Sequence, residues 1–276
     1  MIPNALSIAG IDPSGGAGIY ADLKAFSALG AYGAGVVAAL TAQNTQAVTG
    51  VHGVPPEFVR LQLETLFADV RIDAAKIGML GSAAVTRAVA EALAPRRADG
   101  TLAHLVLDPV MVAKSGDALL ARDAVSTLIE SVVPLATVVT PNLPEAGVLL
   151  DRRPPDSLRE MTQAAERLRR LLSDSGHCWV LLKGGHLPGD PVDLLHDGDR
   201  MIELPAPRIE TKNTHGTGCT LSAAIAALLP QRPDVPEVVR EAKRWLTEAI
   251  RQSDRLTVGS GHGPVHHFHA LWAQRR

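Results

Sequence analysis

The chain has 276 residues, of which 46% are hydrophobic but only 3% aromatic, so its core must be packed mainly with aliphatic side chains. Its net charge of −2 offers no basic surface for nucleic acid, and no apolar run is long enough to cross a bilayer. Two cysteines give no disulfide framework, and Met1 to Asn4 lack the basic and apolar regions of a signal peptide. We therefore expect a cytoplasmic protein without a nucleic-acid or membrane partner.

Short apolar strands alternate with helices along the chain. In chain order, the predicted strands are 5–9, 36–40, 75–77, 105–107, 138–140 and 179–182, followed by a hairpin of 192–196 with 201–204. The predicted helices are 19–29, 56–68, 83–93, 124–133, a helix opened by Asn142, 158–172, a helix that begins at 216–219, and 238–250. This alternation predicts one α/β domain over 1–276, with a mostly parallel sheet covered by helices on both faces.

Ligands of such sheets bind beyond the carboxyl ends of the strands. Glycines and polar or flexible side chains follow the predicted strands at this edge: Gly10, Asp12, Gln43, Asn44, Gly78, Met79, Asp108, Asn142 and Lys183. We expect the binding site to be assembled there.

The stretch 212–220 joins a polar loop to a helix rich in alanine and leucine. Gly216, Thr217 and Gly218 are small or conformationally permissive, and the first amides of a helix lack internal partners while its dipole favours negative charge. The stretch therefore predicts an anion site, most often a phosphate site. The same field should favour the thiolate of Cys219 at the helix start. The alternative is an ordinary glycine-containing turn before a buried helix.

Two further stretches predict one wall of a pocket. The loop 10–18 has four glycines but no G-x-G-x-x-G pattern at that point, and it is interpreted either as a glycine-lined wall or as a flexible loop. Gln43 offers a donor and an acceptor in one plane, which matches the edge of an aminopyrimidine or a similar ring. Alternatively, its amide caps a loop.

Three candidate residues also have structural alternatives. Asn142 and Glu145 have the spacing of a helix capping box, yet Glu145 could also lie near a magnesium ion or its waters. Lys183 could reach a nucleotide phosphate or lie on the surface. Among the histidines near the C-terminus (His262, His266, His267 and His269), the pattern favours a packed tail over a zinc or nickel site.

Together these segments resemble the hydroxymethylpyrimidine/phosphomethylpyrimidine kinases of thiamine biosynthesis, within the ribokinase-like group. The matching segments are 9–18, 41–45, 76–80, 107–111, 140–146, 182–186, 213–220 and 263–269. The resemblance implies a ribokinase-like sheet with a small β-flap over the substrate, ATP as donor and Mg²⁺ as cofactor. It implies two successive phosphorylations of 4-amino-5-hydroxymethyl-2-methylpyrimidine, first on the alcohol and then on the monophosphate. We also expect a homodimer.

Matching the motifs residue by residue assigns roles. The implied catalytic residues are Gly216, Thr217, Gly218 and Cys219. The implied substrate-binding residues are Gly10, Asp22, Gln43 and Met79. The implied ATP-facing residues are Asp108, Asn142, Lys183 and Thr214, with Glu145 at the metal. The wider group usually carries aspartate where this chain has Cys219. The alternatives are a pyridoxal or pyridoxine kinase, and a non-catalytic pyrimidine or redox sensor.

Overall fold

The computed structural model describes residues 1–111, 122–172 and 178–272. Within these ranges, nine strands form a single sheet. The strands are β1 (Asn4–Ile11), β2 (Tyr32–Gln43), β3 (Val48–Gly53), β4 (Ala74–Ile77), β5 (His104–Leu107), β6 (Val138–Val139), β7 (Trp179–Leu182), β8 (Val192–His196) and β9 (Met201–Pro205).

The sheet has the order β3-β2-β1-β4-β5-β6-β7-β8-β9. Neighbours from β2 to β7 pair in parallel, while β3 and the β8–β9 hairpin add antiparallel strands at the two edges. The predicted mostly parallel sheet and the predicted hairpin are therefore confirmed. Strand β3 was not predicted, because it contains two glycines, is largely exposed and forms only by pairing with β2.

The helices are α1 (Gly18–Ala28), α2 (Pro56–Phe67), α3 (Ala83–Ala98), α4 (Arg122–Ser131), α5 (Leu143–Leu149), α6 (Leu158–Arg169), α7 (Thr217–Leu228), α8 (Val235–Arg251) and α9 (His269–Trp272). Helix α8 begins three residues before its predicted start, because the Asp234 side chain accepts a hydrogen bond from the Glu237 amide at 2.8 Å and caps it. No described helix combines the length and apolar character needed to cross a membrane.

Both faces of the sheet are buried. Along β5, Leu105 and Leu107 belong to the apolar cluster that also contains side chains of α2 to α6. Val106, between them, belongs to the second cluster, with side chains of α1, α7 and α8. Because successive side chains of a strand point to opposite faces, this alternation places helices on both sides, as predicted.

Strand β2 extends beyond its partner β1 and carries Gln43 with it. The pairing with β1 ends at Leu40, and the distal residues pair with β3 alone, which forms a small antiparallel β-flap. The turn after β2 is tied to a loop near the C-terminus, since the Thr45 carbonyl accepts a hydrogen bond from the His262 amide at 2.9 Å. These contacts fix the position of Gln43 at the end of β2, beside the turn of the flap.

Candidate active site

A cleft with a volume of about 890 Å³ lies where the carboxyl ends of the parallel strands meet the N-terminus of α7. Nearly all of the predicted site residues line this cleft: Gly10, Gln43, Met79, Asp108, Asn142, Glu145, Lys183, Thr214, Gly216, Thr217, Gly218 and Cys219. The structure therefore brings together residues from seven separate segments, at the edge where ligands of such sheets bind.

The N-terminus of α7 presents amides to the cleft. The N-cap residue Gly216 has φ +74°, and a Cβ on it would lie 1.8 Å from the Gly16 carbonyl oxygen, so only glycine fits. The Thr217 amide makes a long 3.4 Å bond to the Thr214 carbonyl. Within the described ranges, the amides of Gly218 and Cys219 have no protein acceptor. They can therefore bind an anion, and their part in phosphoryl transfer stays a prediction.

The Cys219 side chain lies half-buried in the wall of the cleft, and the pKa of its thiol differs from the predicted one. Burial raises the pKa of the thiol to about 11, although the Lys76 ammonium and the Gly18 amide favour the thiolate. The carboxylates of Asp22 and Asp108 add to the rise. The predicted lowering of this pKa is therefore wrong, because loss of water outweighs the field of the helix end.

Asp22 lies beneath the cleft and does not line it. Its buried carboxylate accepts hydrogen bonds from Lys76 Nζ at 2.9 Å and 3.1 Å, and from Ser7 Oγ at 2.6 Å. Burial disfavours the Lys76 charge, but the Asp22 carboxylate outweighs this and raises the pKa of the lysine. Asp22 therefore supports the floor of the cleft through Lys76. The sequence contained Lys76 in a matched segment but indicated no role for it.

A lysine and two carboxylates lie close together beside the N-terminus of α7. Lys183 Nζ lies 3.0 Å from Asp108 Oδ1 and 4.0 Å from Glu145 Oε2. A Cβ on Gly218 would lie 3.3 Å from Lys183 Nζ. The lysine thus stands directly above the first turn of α7, where its charge can act on the same anion as the Gly218 and Cys219 amides. The surface alternative for Lys183 is wrong.

Asn142 and Glu145 form the capping box that their spacing indicated. Asn142 Oδ1 accepts from the Glu145 amide at 2.9 Å, and Glu145 Oε2 accepts from the Asn142 amide at 2.7 Å. Burial raises the pKa of Glu145 to about 7, helped by Asp108 and opposed by Lys183. The raised pKa shows that the negative charge of Glu145 beside Asp108 is poorly balanced, so binding of a further cation between these carboxylates is favourable. This donor set fits Mg²⁺, which takes one or two carboxylates together with phosphate oxygens.

Asp12 and His215 form a pair in the cleft to which the sequence analysis gave no role. His215 Nε2 lies 2.7 Å from Asp12 Oδ2, both residues line the cleft, and the same ring nitrogen is 3.5 Å from Gln43 Nε2. Asp12 was noted only as a strand-end residue. A local spacing rule could not pair it with a histidine 203 positions away.

Three of the four C-terminal histidines pack against α7 and α8, as the packed-tail interpretation predicts, whereas His262 is exposed. His266, His267 and His269 are buried, and the rings of His267 and His269 contact Trp245. His267 Nε2 lies 3.0 Å from Thr220 Oγ1 in the first turn of α7. Burial lowers the pKa of His267 to about 3, with Lys24 adding to the effect, so the ring is neutral. In the described part of the chain, no group of three or more histidine, cysteine, aspartate or glutamate side chains could hold a metal.

The family model described as phosphomethylpyrimidine kinase matches residues 12–266. The chain belongs to this family. It is 52% identical to a hydroxymethylpyrimidine/phosphomethylpyrimidine kinase of Escherichia coli K12, over 98% of both chains.

Solved structures give the same family relationship and confirm the ribokinase-like fold. A phosphomethylpyrimidine kinase of Clostridium difficile 630 is 38% identical, covers 90% of this chain and 99% of its own, and has a TM-score of 0.77. A pyridoxal kinase of Staphylococcus aureus, solved with AMP-PCP and pyridoxal, is 31% identical over 98% of this chain and 95% of its own, with a TM-score of 0.87. Pyridoxal kinases are thus related in structure but more distant in sequence than the E. coli relative.

Proposed function

We propose that the protein uses ATP to phosphorylate 4-amino-5-hydroxymethyl-2-methylpyrimidine to its monophosphate and then to its diphosphate, in thiamine biosynthesis. The observation that carries the proposal is that the Gly218 and Cys219 amides, which lack protein acceptors in the described ranges, line the same cleft as Gln43. One cleft can then hold a phosphoryl group and a heterocycle together. Membership of the phosphomethylpyrimidine kinase family supports this substrate.

In the proposed mechanism, the protein positions the reactants and stabilises charge, which is the main task in phosphoryl transfer. The amides of the α7 N-terminus donate hydrogen bonds to the γ-phosphoryl oxygens and so stabilise the charge that develops on them, as an oxyanion hole does. Lys183 adds a positive charge 3.0 Å from Asp108. Asp108, Asn142 and Thr214 face the nucleotide.

We further propose Mg²⁺ as the cofactor, held by Glu145 and Asp108 together with the phosphates of ATP. When bound, the ion supplies charge neutralisation of the phosphate oxygens. On the opposite side, Gln43 pairs with the pyrimidine edge, Gly10 and Met79 lie beside it, and Asp22 acts from beneath through Lys76. A Cβ on Gly10 would lie 2.8 Å from Met79 Cε, so these two residues form one continuous wall.

Cys219 is proposed as the proton acceptor in the first transfer only. A pKa of about 11 leaves a thiolate fraction on the order of 10⁻⁴ at pH 7, so the base acts from a minor ionised form that Lys76 favours. The second transfer needs no base, because a phosphomonoester with a second pKa near 6 is mostly dianionic at neutral pH.

Replacing Cys219 by alanine should lower kcat/KM of the first transfer by about 10²-fold, and that of the second by less than about fivefold. In the wild type, kcat/KM for the alcohol should rise with pH above neutrality, since the thiolate fraction increases up to a pKa of about 11. In Cys219→Ala the profile should be flat. Single-turnover assays of each half-reaction between pH 7 and 9 measure both effects. Equal losses in the two transfers would refute the assignment.

A coupled assay of ATP consumption separates the candidate functions. With purified protein, we expect turnover of hydroxymethylpyrimidine and of its monophosphate, with kcat/KM for pyridoxal at least about tenfold lower, as expected when a polar edge is mismatched. Preferential turnover of pyridoxal would favour a pyridoxal kinase. ATP consumption that does not depend on any of the three substrates would contradict all of these assignments.

Domain organisation, cellular location and oligomeric state are also part of the proposal. We propose a single domain over 1–276, active in the cytoplasm as a homodimer, with a small-molecule substrate and no nucleic-acid or membrane partner. Exposed apolar side chains on the flap and on α2 support a contact between two copies. These residues are Leu40, Val51, Phe58 and Leu61, with exposures of 45% to 55%.

A further inference from the structure

We infer that Asp12 and His215 fix the donor–acceptor polarity of the Gln43 amide and so select which heterocycle edge the cleft accepts. They act as positioning residues, through Gln43. The inference rests on the proposed function, because the heterocycle concerned is the pyrimidine substrate.

Asp12 determines where His215 carries its proton. The carboxylate is 3% exposed and accepts hydrogen bonds from the amides of Ser14 at 2.9 Å and Ala17 at 3.0 Å. Burial opposes its charge, but the hydrogen bonds from His215 and Ser14 outweigh burial and lower the pKa of Asp12. An ionised carboxylate can only accept. The His215 nitrogen 2.7 Å from it, Nε2, therefore bears a hydrogen whether the ring is neutral or charged.

Two contacts hold His215 in this orientation, one at its backbone and one at its ring. The His215 amide donates to the Gly263 carbonyl at 3.0 Å, which ties the residue to the C-terminal loop. On the other side, a Cβ on Gly16 would lie 2.4 Å from His215 Cδ2. Because the ring packs so closely on glycine backbone, Nε2 stays directed at Asp12 and Gln43.

Donor–acceptor matching then decides which end of the Gln43 amide faces His215. With the amide nitrogen toward the ring, two N–H groups would face each other at 3.5 Å. A half-turn of the amide places its oxygen there and removes the conflict. The other end of the amide lies 3.1 Å from Thr41 Oγ1, whose single proton can go to the Ile11 carbonyl at 2.9 Å. The Thr41 oxygen can then accept from the amide nitrogen.

In this arrangement, Gln43 keeps one N–H and one oxygen lone pair for a ligand, in a fixed order. A ring with an amino donor beside a nitrogen acceptor, such as a 4-aminopyrimidine, matches that order. The 4-oxo analogue carries an acceptor beside an N–H, so both of its contacts are mismatched. Asp12 and His215 thus make the cleft selective for the amino form.

The test compares kcat/KM for 4-amino-5-hydroxymethyl-2-methylpyrimidine with kcat/KM for its 4-oxo analogue. In Asp12→Asn, the new amide can donate to His215 Nε2, which allows that nitrogen to lose its hydrogen and Gln43 to turn. We expect the amino-to-oxo ratio to fall by about tenfold or more relative to the wild type. A loss of the same size on both pyrimidines would indicate a structural role and overturn the inference.

Three further variants keep the result interpretable if Asp12→Asn folds poorly. Thr41→Val removes the acceptor at the other end of the amide at nearly constant volume and should also lower the ratio. His215→Gln can still donate to Asp12, whereas His215→Leu cannot, so only the leucine variant should lose selectivity. An unchanged ratio in Thr41→Val and His215→Leu would overturn the inference. Wild-type protein inactive on both pyrimidines would instead refute the proposed function, and calorimetric binding of the same two compounds would then give the ratio.

Discussion

Replacing Gly216 by alanine is expected to reduce kcat by about 10³-fold or more. The added Cβ would lie 1.8 Å from the Gly16 carbonyl oxygen, and alanine would have to adopt φ +74°. Neither strain can be relieved without moving the first turn of α7, so several amides leave their positions together. Loss of one well-placed oxyanion donor costs about 10²- to 10³-fold in kcat. The left-handed conformation alone costs about 1–2 kcal/mol of stability.

Steady-state kinetics and chemical denaturation measure both effects in the same preparation. Gly53→Ala is the matched control, because a Cβ at that position on the flap meets nothing within 4 Å. The control should keep wild-type kcat and stability. If Gly216→Ala retained more than about a tenth of wild-type kcat, the amides of this turn would not be the main stabilisers of the transferred group.

Replacing Lys183 by methionine is expected to lower kcat by about 10²- to 10³-fold, the usual cost of losing a preorganised charge at a transferring phosphoryl group. The substitution keeps the apolar stem and removes a charge 3.0 Å from Asp108 and 4.0 Å from Glu145. The variant should still fold, because Glu145, with a pKa of about 7, can take up a proton when its cationic neighbour is lost. KM for ATP should rise, while KM for the pyrimidine should change less than about threefold, since Lys183 lies on the nucleotide side.

Lys212→Met is the matched control for charge removal, since the Lys212 side chain is exposed and, among the residues that the structure describes, only its backbone carbonyl is hydrogen-bonded. Kinetics with ATP and pyrimidine varied independently separate the two KM values. A Lys183→Met variant with kcat within threefold of the wild type would show that the lysine only balances the two carboxylates.

Much of the site followed from local pattern. The alternation of apolar strands and helices indicated the parallel sheet, and the ends of those strands gave most of the residues that line the cleft. The run from Gly216 to Cys219 indicated a helix N-terminus with available amides. These features depend on neighbours in sequence, so a sequence suffices to predict them.

Other properties were decided only by the tertiary structure. Strand β3 exists because β2 offers it the edge that faces away from β1. Asp22 of helix α1 is held under the cleft by Lys76 of strand β4, and the pairing of Asp12 with His215 joins positions 203 residues apart. The Cys219 pKa rises to about 11 because folding removes water from the thiol and brings two carboxylates near it. Desolvation and charge–charge interactions depend on distances in space, and neither composition nor spacing along the chain contains those distances.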